Sequence, residues 1–337
     1  MIAAAAILAA AVTFSGTQPQ LAAAGSEIFI VFGRPDRIQI ARSTDAAETF
    51  GQPVTLPVSG KMALGRRRGP RVAATRQAVL VSAVIGQRGA GGDGDILFYR
   101  SLDHGRTWSV PVPINDVPGA AREGMHAMAA NEAGTVVVAW LDLRERGTRI
   151  YAALSRDHGV TWSKNQPVYV SPSGSVCECC HPSVAVSEQG TVAIMFRNNI
   201  DGHRDMFVAE SSDGRTFGAA TKLGTGSWKL AACPMDGGGL TLAGGLSTAW
   251  RRDDGIFLSS TRVAERRLAT GRDPAVAAVG AHTDIAWQEG SSVRLLRDPA
   301  AAVEVGPGTF PVLLAFRDRT IVAAEDKGTV WVRVVPR

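Results

Sequence analysis

The sequence predicts an all-β fold of repeated four-stranded sheets, and three observations carry that prediction. First, the stretch Ser101-Leu-Asp103-His-Gly105-Arg-Thr107-Trp108 returns intact as Ser155-Arg-Asp157-His-Gly159-Val-Thr161-Trp162. Weaker copies begin at Ser43, with Asp45 and Thr49-Phe50, and at Ser211, with Asp213-Gly214 and Thr216-Phe217, the last a residue short. A motif recurring at such a period marks stacked supersecondary units. Second, 37 Gly and 17 Pro in 337 residues suit a turn-rich β protein better than a helical one. Third, short apolar runs separated by turn residues recur in step with the motif.

Taken in order, each unit opens on a short segment with Pro or its equivalent: Pro19, Pro70, His126, Pro182, Pro234, Pro274 and Pro311. A second apolar strand follows each opening: Ile28 to Phe32, Val79 to Val84, Thr135 to Trp140, Thr191 to Phe196, Leu246 to Trp250, Thr283 to Trp287 and Thr320 to Ala324. A third leads into the motif, as in Ile150 to Ser155, and a fourth leaves it, as in Pro167 to Val170. Four antiparallel strands per unit make the blade of a β-propeller. Seven openings predict seven blades, with six as the alternative if one late unit is irregular. The last unit shows three strands, so its outer strand is expected from residues just before Pro19, since a ring leaves no edge unpaired. A single domain over 18–337 is expected, with 1–17 as an apolar N-terminal segment.

Met1 to Phe14 is too short to span a bilayer and reads as the apolar core of a secretory signal, which predicts export to a periplasmic or extracellular compartment. No integral membrane span is expected, and a monomer is. The net charge of +5 is scattered except at Arg66-Arg67-Arg68 and Arg71, and aromatic residues are 6% of the chain. Nucleic-acid binding needs a basic stripe with interleaved aromatics, so that class is set aside.

The chemistry-bearing stretch is Val176-Cys177-Glu178-Cys179-Cys180-His181-Pro182, which holds three of the four cysteines; the fourth is Cys233, before Pro234 and Met235. Both segments precede a first strand, and first strands line a propeller's channel from one face. Cys177, Cys179, Cys180, His181 and Cys233 are therefore expected near one mouth, with His126, Met125 and Met128 from the preceding blade. Thiolate, imidazole and thioether donors favour Cu or Zn, with Met235 tilting the choice to copper. Disulfides, from Cys177 or Cys179 to Cys233 or between Cys179 and Cys180, are an equally open reading, and buried free thiols a third. Second strands return to the same face, which brings Arg71, Asp142, Arg144, Arg197, Asn198, Asp236 and Arg251 to its rim. Guanidinium forks there suit a carboxylate, a phosphate or a sugar, so a small-molecule, carbohydrate or metal partner is expected.

The repeated S-x-D-x-G-x-T-W motif resembles the Asp-box, or BNR repeat, of sialidases and related propellers. That resemblance implies the propeller fold over most of the chain, with Asp103, Gly105, Trp108, Asp157, Gly159 and Trp162 as structural turn residues. It also implies a test of activity, because sialidases hold a carboxylate with three arginines and use a Tyr nucleophile polarised by Glu, placed in the late blades. Here the tyrosines are Tyr99, Tyr151 and Tyr169, and none follows. The family's Phe-Arg-Ile-Pro signature is absent, with Phe32-Gly-Arg34-Pro35 the nearest segment. The sequence thus points to a sialidase-like propeller that binds a metal or a ligand at its channel mouth. A glycoside hydrolase or exo-α-sialidase acting on an anionic sugar through an Arg-rich pocket is the alternative.

Overall fold

Seven antiparallel sheets follow one another around a ring in a computed structural model that describes residues 10–89, 91–279, 282–298 and 300–336. No helix occurs among the described residues, so none is long and apolar enough to cross a membrane. The first blade is built from Thr17–Ala24, Glu27–Arg34, Arg37–Ser43 and Val54–Pro57. The later blades repeat this order, and the observed second strands, such as Val136–Asp142 and Arg319–Asp326, fall on the apolar runs read from the sequence.

The ring closes as the missing strand required. Val12–Ser15 pairs antiparallel with Thr329–Pro336, Phe14 standing opposite Val330, and completes the seventh blade. Phe14 stacks on Phe32 at 5.0 Å and meets Phe50 edge-on at 5.7 Å, tying the seventh blade to the first. This strand lies inside 1–17, so the propeller begins by Val12, ahead of the expected boundary. A cut near Gly16 would remove the closing strand. Met1 to Ala9 of the apolar N-terminal run lie outside the described residues.

Among the described residues the core is divided rather than single. Seven apolar clusters each join two neighbouring blades, such as Leu80, Phe98 and Ile96 of blade two with Val136, Val138 and Trp140 of blade three. Strands buried on both faces explain the continuous apolar runs, for example Val79–Gly86, in which every residue is buried.

Two departures from the expected pattern matter for the channel mouth. In blade two the innermost position is split between Lys61–Met62 and Arg71–Ala74, which both pair with Val79–Gly86. The segment 63–70 between them, with Arg66, Arg67 and Arg68, leaves the sheet. In blade five the first strand is Gly239–Thr241, starting past the expected Pro234, because a run of three glycines offers no side chains to hold a longer pairing.

The Asp-box turns behave as structural devices on the face opposite the cysteines. Asp157 Oδ1 accepts from Ser155 Oγ at 2.8 Å and from the Thr161 N–H at 2.9 Å, while Oδ2 accepts from Thr161 Oγ1 at 2.6 Å. Asp103 makes the same bonds to Ser101 and Thr107. His104 and His158 take positive φ within these turns, and both reach the preceding blade: His104 Nδ1 lies 2.7 Å from Glu27 and His158 Nδ1 2.9 Å from Thr75. Trp162 packs edge-on against Phe98 of that blade at 5.0 Å.

Phe14→Ala is expected to lower stability by about 2–3 kcal/mol, read by chemical denaturation, whereas Thr13→Ala on the exposed side should stay within about 0.5 kcal/mol. A second comparison separates strain from clash. Gly105 and Gly159 share a left-handed φ near +80°, but an added Cβ has room at Gly105 and would meet Phe98 at 2.6 Å at Gly159. Gly105→Ala should therefore cost about 1–2 kcal/mol and Gly159→Ala about 3 kcal/mol or more, and equal costs would refute the packing account.

Candidate functional site

The loops that enter the first strands gather on one face, and a cleft of about 220 Å³ opens there on the channel axis. Gln20, Arg67, Arg71, His181 and Ser183 supply its polar lining, with Pro182, Pro274 and Val312 among the apolar walls. Arg67 reaches from the blade-two insertion across the mouth. Its Nη1 donates to Pro311 O of blade seven at 3.1 Å and its Nη2 to Asp273 O of blade six at 2.8 Å. Its Nε stands 3.7 Å from Asp273 Oδ1, and neither atom has a hydrogen-bond partner.

Three blades share the device that receives this arginine. Gln18, Asp273 and Phe310 all precede a proline, all take φ near +54°, and each sits in a bulge of its first strand. The bulge turns the backbone into the mouth, which presents the carbonyls that Arg67 uses. Asp273 is fully buried. Burial first, and the neighbouring Asp236 carboxylate second, push its acid up to about 6 against the pull of Arg67 and Arg272.

The sulfur-rich turn lies beside this cleft. Cys177 Sγ is 3.8 Å from Cys179 Sγ and 3.3 Å from Cys180 Sγ, and all three sulfurs lie within 4.8 Å of one another. Cys177 and Cys180 are fully buried and Cys179 half-buried. Arg204 Nη1 donates to Cys177 Sγ at 3.4 Å. Sulfur contacts from Cys179 and Cys180, and more weakly the charge of Arg197, hold the Cys177 thiol well below its ordinary range despite burial. Burial pushes Cys180 up to about 12. The turn therefore favours one thiolate flanked by two thiols.

The other expected ligands stand apart from this group. Cys233 is exposed, in the loop one blade further round, and Met235 is half-buried there with φ +54°. His181 is buried with Nε2 3.2 Å from Gly238 O and Nδ1 unpartnered, and Gly237 packs against it so closely that any Cβ would strike His181 O. His126 sits 3.0 Å from Ser82 Oγ, and burial pushes its imidazole down to about 3. Met125 and Met128 are buried in apolar clusters. The four cysteines are free thiols, and Cys233 lies outside the group formed by the other three.

The rim residues mostly clamp the backbone. Arg197 donates to Asp236 O at 3.0 Å, Arg204 O at 2.5 Å and Arg251 O at 2.9 Å, with Trp228 stacked 5.3 Å from its guanidinium. Arg71 donates to the carbonyls of Arg67, Gly69, Pro70 and His126. Arg144 is held by Asp142, Asp116 and Asn165, and Asp142 also accepts from Trp140. Asn198 donates to Tyr169, and Arg251 to Asp253 O. Asp236 accepts from the Asp273 N–H at 2.7 Å. Of these seven only Arg71 lines the cleft. The tyrosine hydroxyls are engaged too, Tyr99 with Pro57 O and Tyr151 with Glu145.

Arg67 and Asp273 were missed from sequence. The available signals were the Gly65-Arg-Arg-Arg-Gly69 insertion between two half-strands and the shared residue–proline step at Gln18, Asp273 and Phe310. Asp273 also makes a pH prediction. A carboxyl raised from 3.8 to about 6 on folding binds extra protons in the native state between those values, so its contribution to stability falls as pH rises from about 4 to 6. Asp273→Asn should flatten that part of the stability–pH curve, measured by denaturant titration at each pH. An unchanged slope would refute the assignment.

Comparison with known proteins agrees with the fold. The Penicillium chrysogenum α-L-arabinanase complexed with arabinobiose superposes with a TM-score of 0.54 at 13% identity, over 96% of this chain and 93% of that one. The GH93 α-L-arabinofuranosidase of Fusarium graminearum, also with arabinobiose, gives 0.55 at 12% over the same shares. A streptogramin B lyase gives 0.59 at 10%, over 97% and 98%. A search of curated proteins finds no match. The profile of the BNR repeat-like domain matches residues 37–253, which span all four Asp-box copies, and the chain belongs to that family of β-propellers.

Proposed function

We propose that this BNR-repeat propeller binds a thiophilic metal ion through Cys177, Cys179 and Cys180, with Cu(I) the ion that the donors favour. The observation that carries the reading is the convergence of three sulfurs within 4.8 Å in one turn. Soft thiolates select Cu(I) or Zn, but structural zinc almost always takes four ligands. His181, the next donor in sequence, is not part of the sulfur group, and a three-sulfur set suits monovalent copper. Arg204 against Cys177, with Arg197 behind it, offsets the negative charge that a thiolate-rich site accumulates. Export through the apolar N-terminal run belongs to the same reading, since a bound ion would protect these thiols in an oxidising compartment.

A carbohydrate-processing role is the second reading, favoured by the buried Asp236–Asp273 pair beside Arg67 and by the arabinobiose-bound propellers of similar fold. A carboxyl raised to about 6 by burial and by a second carboxylate is the environment in which glycosidases separate acid from base. The rim arginines speak against a sialidase-type carboxylate clamp, because Arg71 and Arg197 spend their N–H groups on backbone carbonyls.

Competition of the reduced protein with a Cu(I) chelator tests the first reading. One equivalent of Cu(I) should transfer to the wild type. Cys179→Ser should weaken binding at least about 100-fold, more than loss of a supporting residue usually costs, while Cys233→Ser leaves it unchanged. Binding that survives replacement of all three clustered cysteines would sink the proposal. Release of arabinose or another sugar from oligosaccharides, lost in Asp273→Asn, would move the assignment to the second reading.

A further inference from the structure

The same three sulfurs differ in access as well as in position, and that difference has its own chemistry. Cys179 is half-buried at the surface of the turn, whereas Cys177 and Cys180 are fully enclosed. Cys177 lies between the other two, 3.8 Å from Cys179 and 3.3 Å from Cys180. Cys177 and Cys180 are also spaced as C-x-x-C, a separation at which two cysteines in a turn bridge readily. Arg204, in reach of Cys177 Sγ at 3.4 Å, stabilises negative charge on the central sulfur.

We propose that Cys177, Cys179 and Cys180 form a thiol–disulfide exchange centre for small-molecule disulfides, in which Cys179 receives the oxidising equivalent and the buried Cys177–Cys180 pair stores it as a disulfide. The proposal shares its atoms with the metal reading but does not require the ion. Cys179 passes its proton to the neighbouring Cys177 thiolate, attacks one sulfur of a small disulfide such as oxidised glutathione, forms a mixed disulfide and expels one glutathione thiolate, which takes that proton from Cys177. The Cys177 thiolate then attacks Cys179 Sγ and expels the second glutathione. Cys180 finally attacks Cys177 Sγ, which makes the Cys177–Cys180 bond and returns Cys179 as a thiolate. In sum two protein thiols lose two protons and two electrons, and the small disulfide gains them as two thiols. The relay explains why a cysteine outside the C-x-x-C pair is needed, because neither member of the pair reaches solvent.

The experiment uses metal-free, reduced, full-length protein treated with oxidised glutathione, then alkylated and mapped by mass spectrometry. The expected product has lost two hydrogens, carries a Cys177–Cys180 cross-link, and is alkylated at Cys179. Cys177→Ser should stall as a Cys179–glutathione adduct, and Cys179→Ser should oxidise at least about tenfold more slowly. Cys233→Ser should form the cross-link at the wild-type rate. A cross-link that includes Cys233, a wild-type protein that keeps its glutathione adduct, or a Cys179→Ser variant as fast as wild type would each overturn the proposal. Thermal melts of the variants separate loss of exchange from loss of fold. The two readings of the turn fail separately: a protein that takes Cu(I) but never forms the bridge loses only the exchange centre. One that forms the bridge yet ignores Cu(I) loses only the metal site.

Discussion

The pairing of Val12–Ser15 with Thr329–Pro336 is the constraint on which the rest of the molecule depends. Each apolar cluster belongs to two blades at once, so no blade is stable by itself and the circle must close for the last interface to form. An open ring would expose the edge of Thr329–Pro336 and unseat Phe14 from Phe32 and Phe50. Closure also sets the angular positions of the blades. Arg67 of blade two can meet Asp273 of blade six and Pro311 of blade seven only in a ring of fixed circumference. The channel mouth is thus a product of the far ends of the chain, though none of its residues lies in the closing strand.

At that mouth, positive charge serves mainly to hold backbone. Arg197 alone joins three segments through their carbonyl oxygens, and Arg71 ties its own insertion to blade three. Loops that enter first strands carry carbonyls with no partner in a sheet, and a buried guanidinium with five donors satisfies several at once. This accounts for arginines at blade ends without a ligand. Arg67 differs, because its Nε and the facing Asp273 Oδ1, an ion pair at 3.7 Å, make no hydrogen bond among the described residues in a buried setting where unmade bonds are costly.

Much of the architecture was legible because it repeats. Asp103 and Asp157 announced their turns, the apolar runs located the second strands, and the missing strand of the last unit foretold the closure. The candidate site was legible only as far as the face it occupies. Loops that precede neighbouring first strands do touch, as Gly237 and Gly238 do His181, yet that contact does not bring Cys233 into the group of Cys177, Cys179 and Cys180. The role of Arg197 was also hidden, since nothing in Phe196-Arg197-Asn198 tells a clamp on carbonyls from a clamp on substrate. Pro234 misled for a physical reason: a proline opens a strand only where neighbouring side chains can hold the pairing, and the three glycines after Asp236 cannot.

The two faces divide the work of the fold. Where an Asp-box is present it ties its blade to the one before, as blade three is tied to blade two through Trp162 on Phe98 and His158 on Thr75. The opposite face carries insertions, such as 63–70 and the cysteine turn, which lie outside the blade strands. All three clustered sulfurs come from four consecutive residues, Cys177 to Cys180, anchored at Cys177 by a backbone bond to Arg197 O. A site drawn from one turn needs no agreement between blades on its geometry. It needs only a rigid floor, and the carbonyls clamped by Arg197 supply one. That arrangement lets sulfur chemistry change with a few residues while the ring beneath it stays the same.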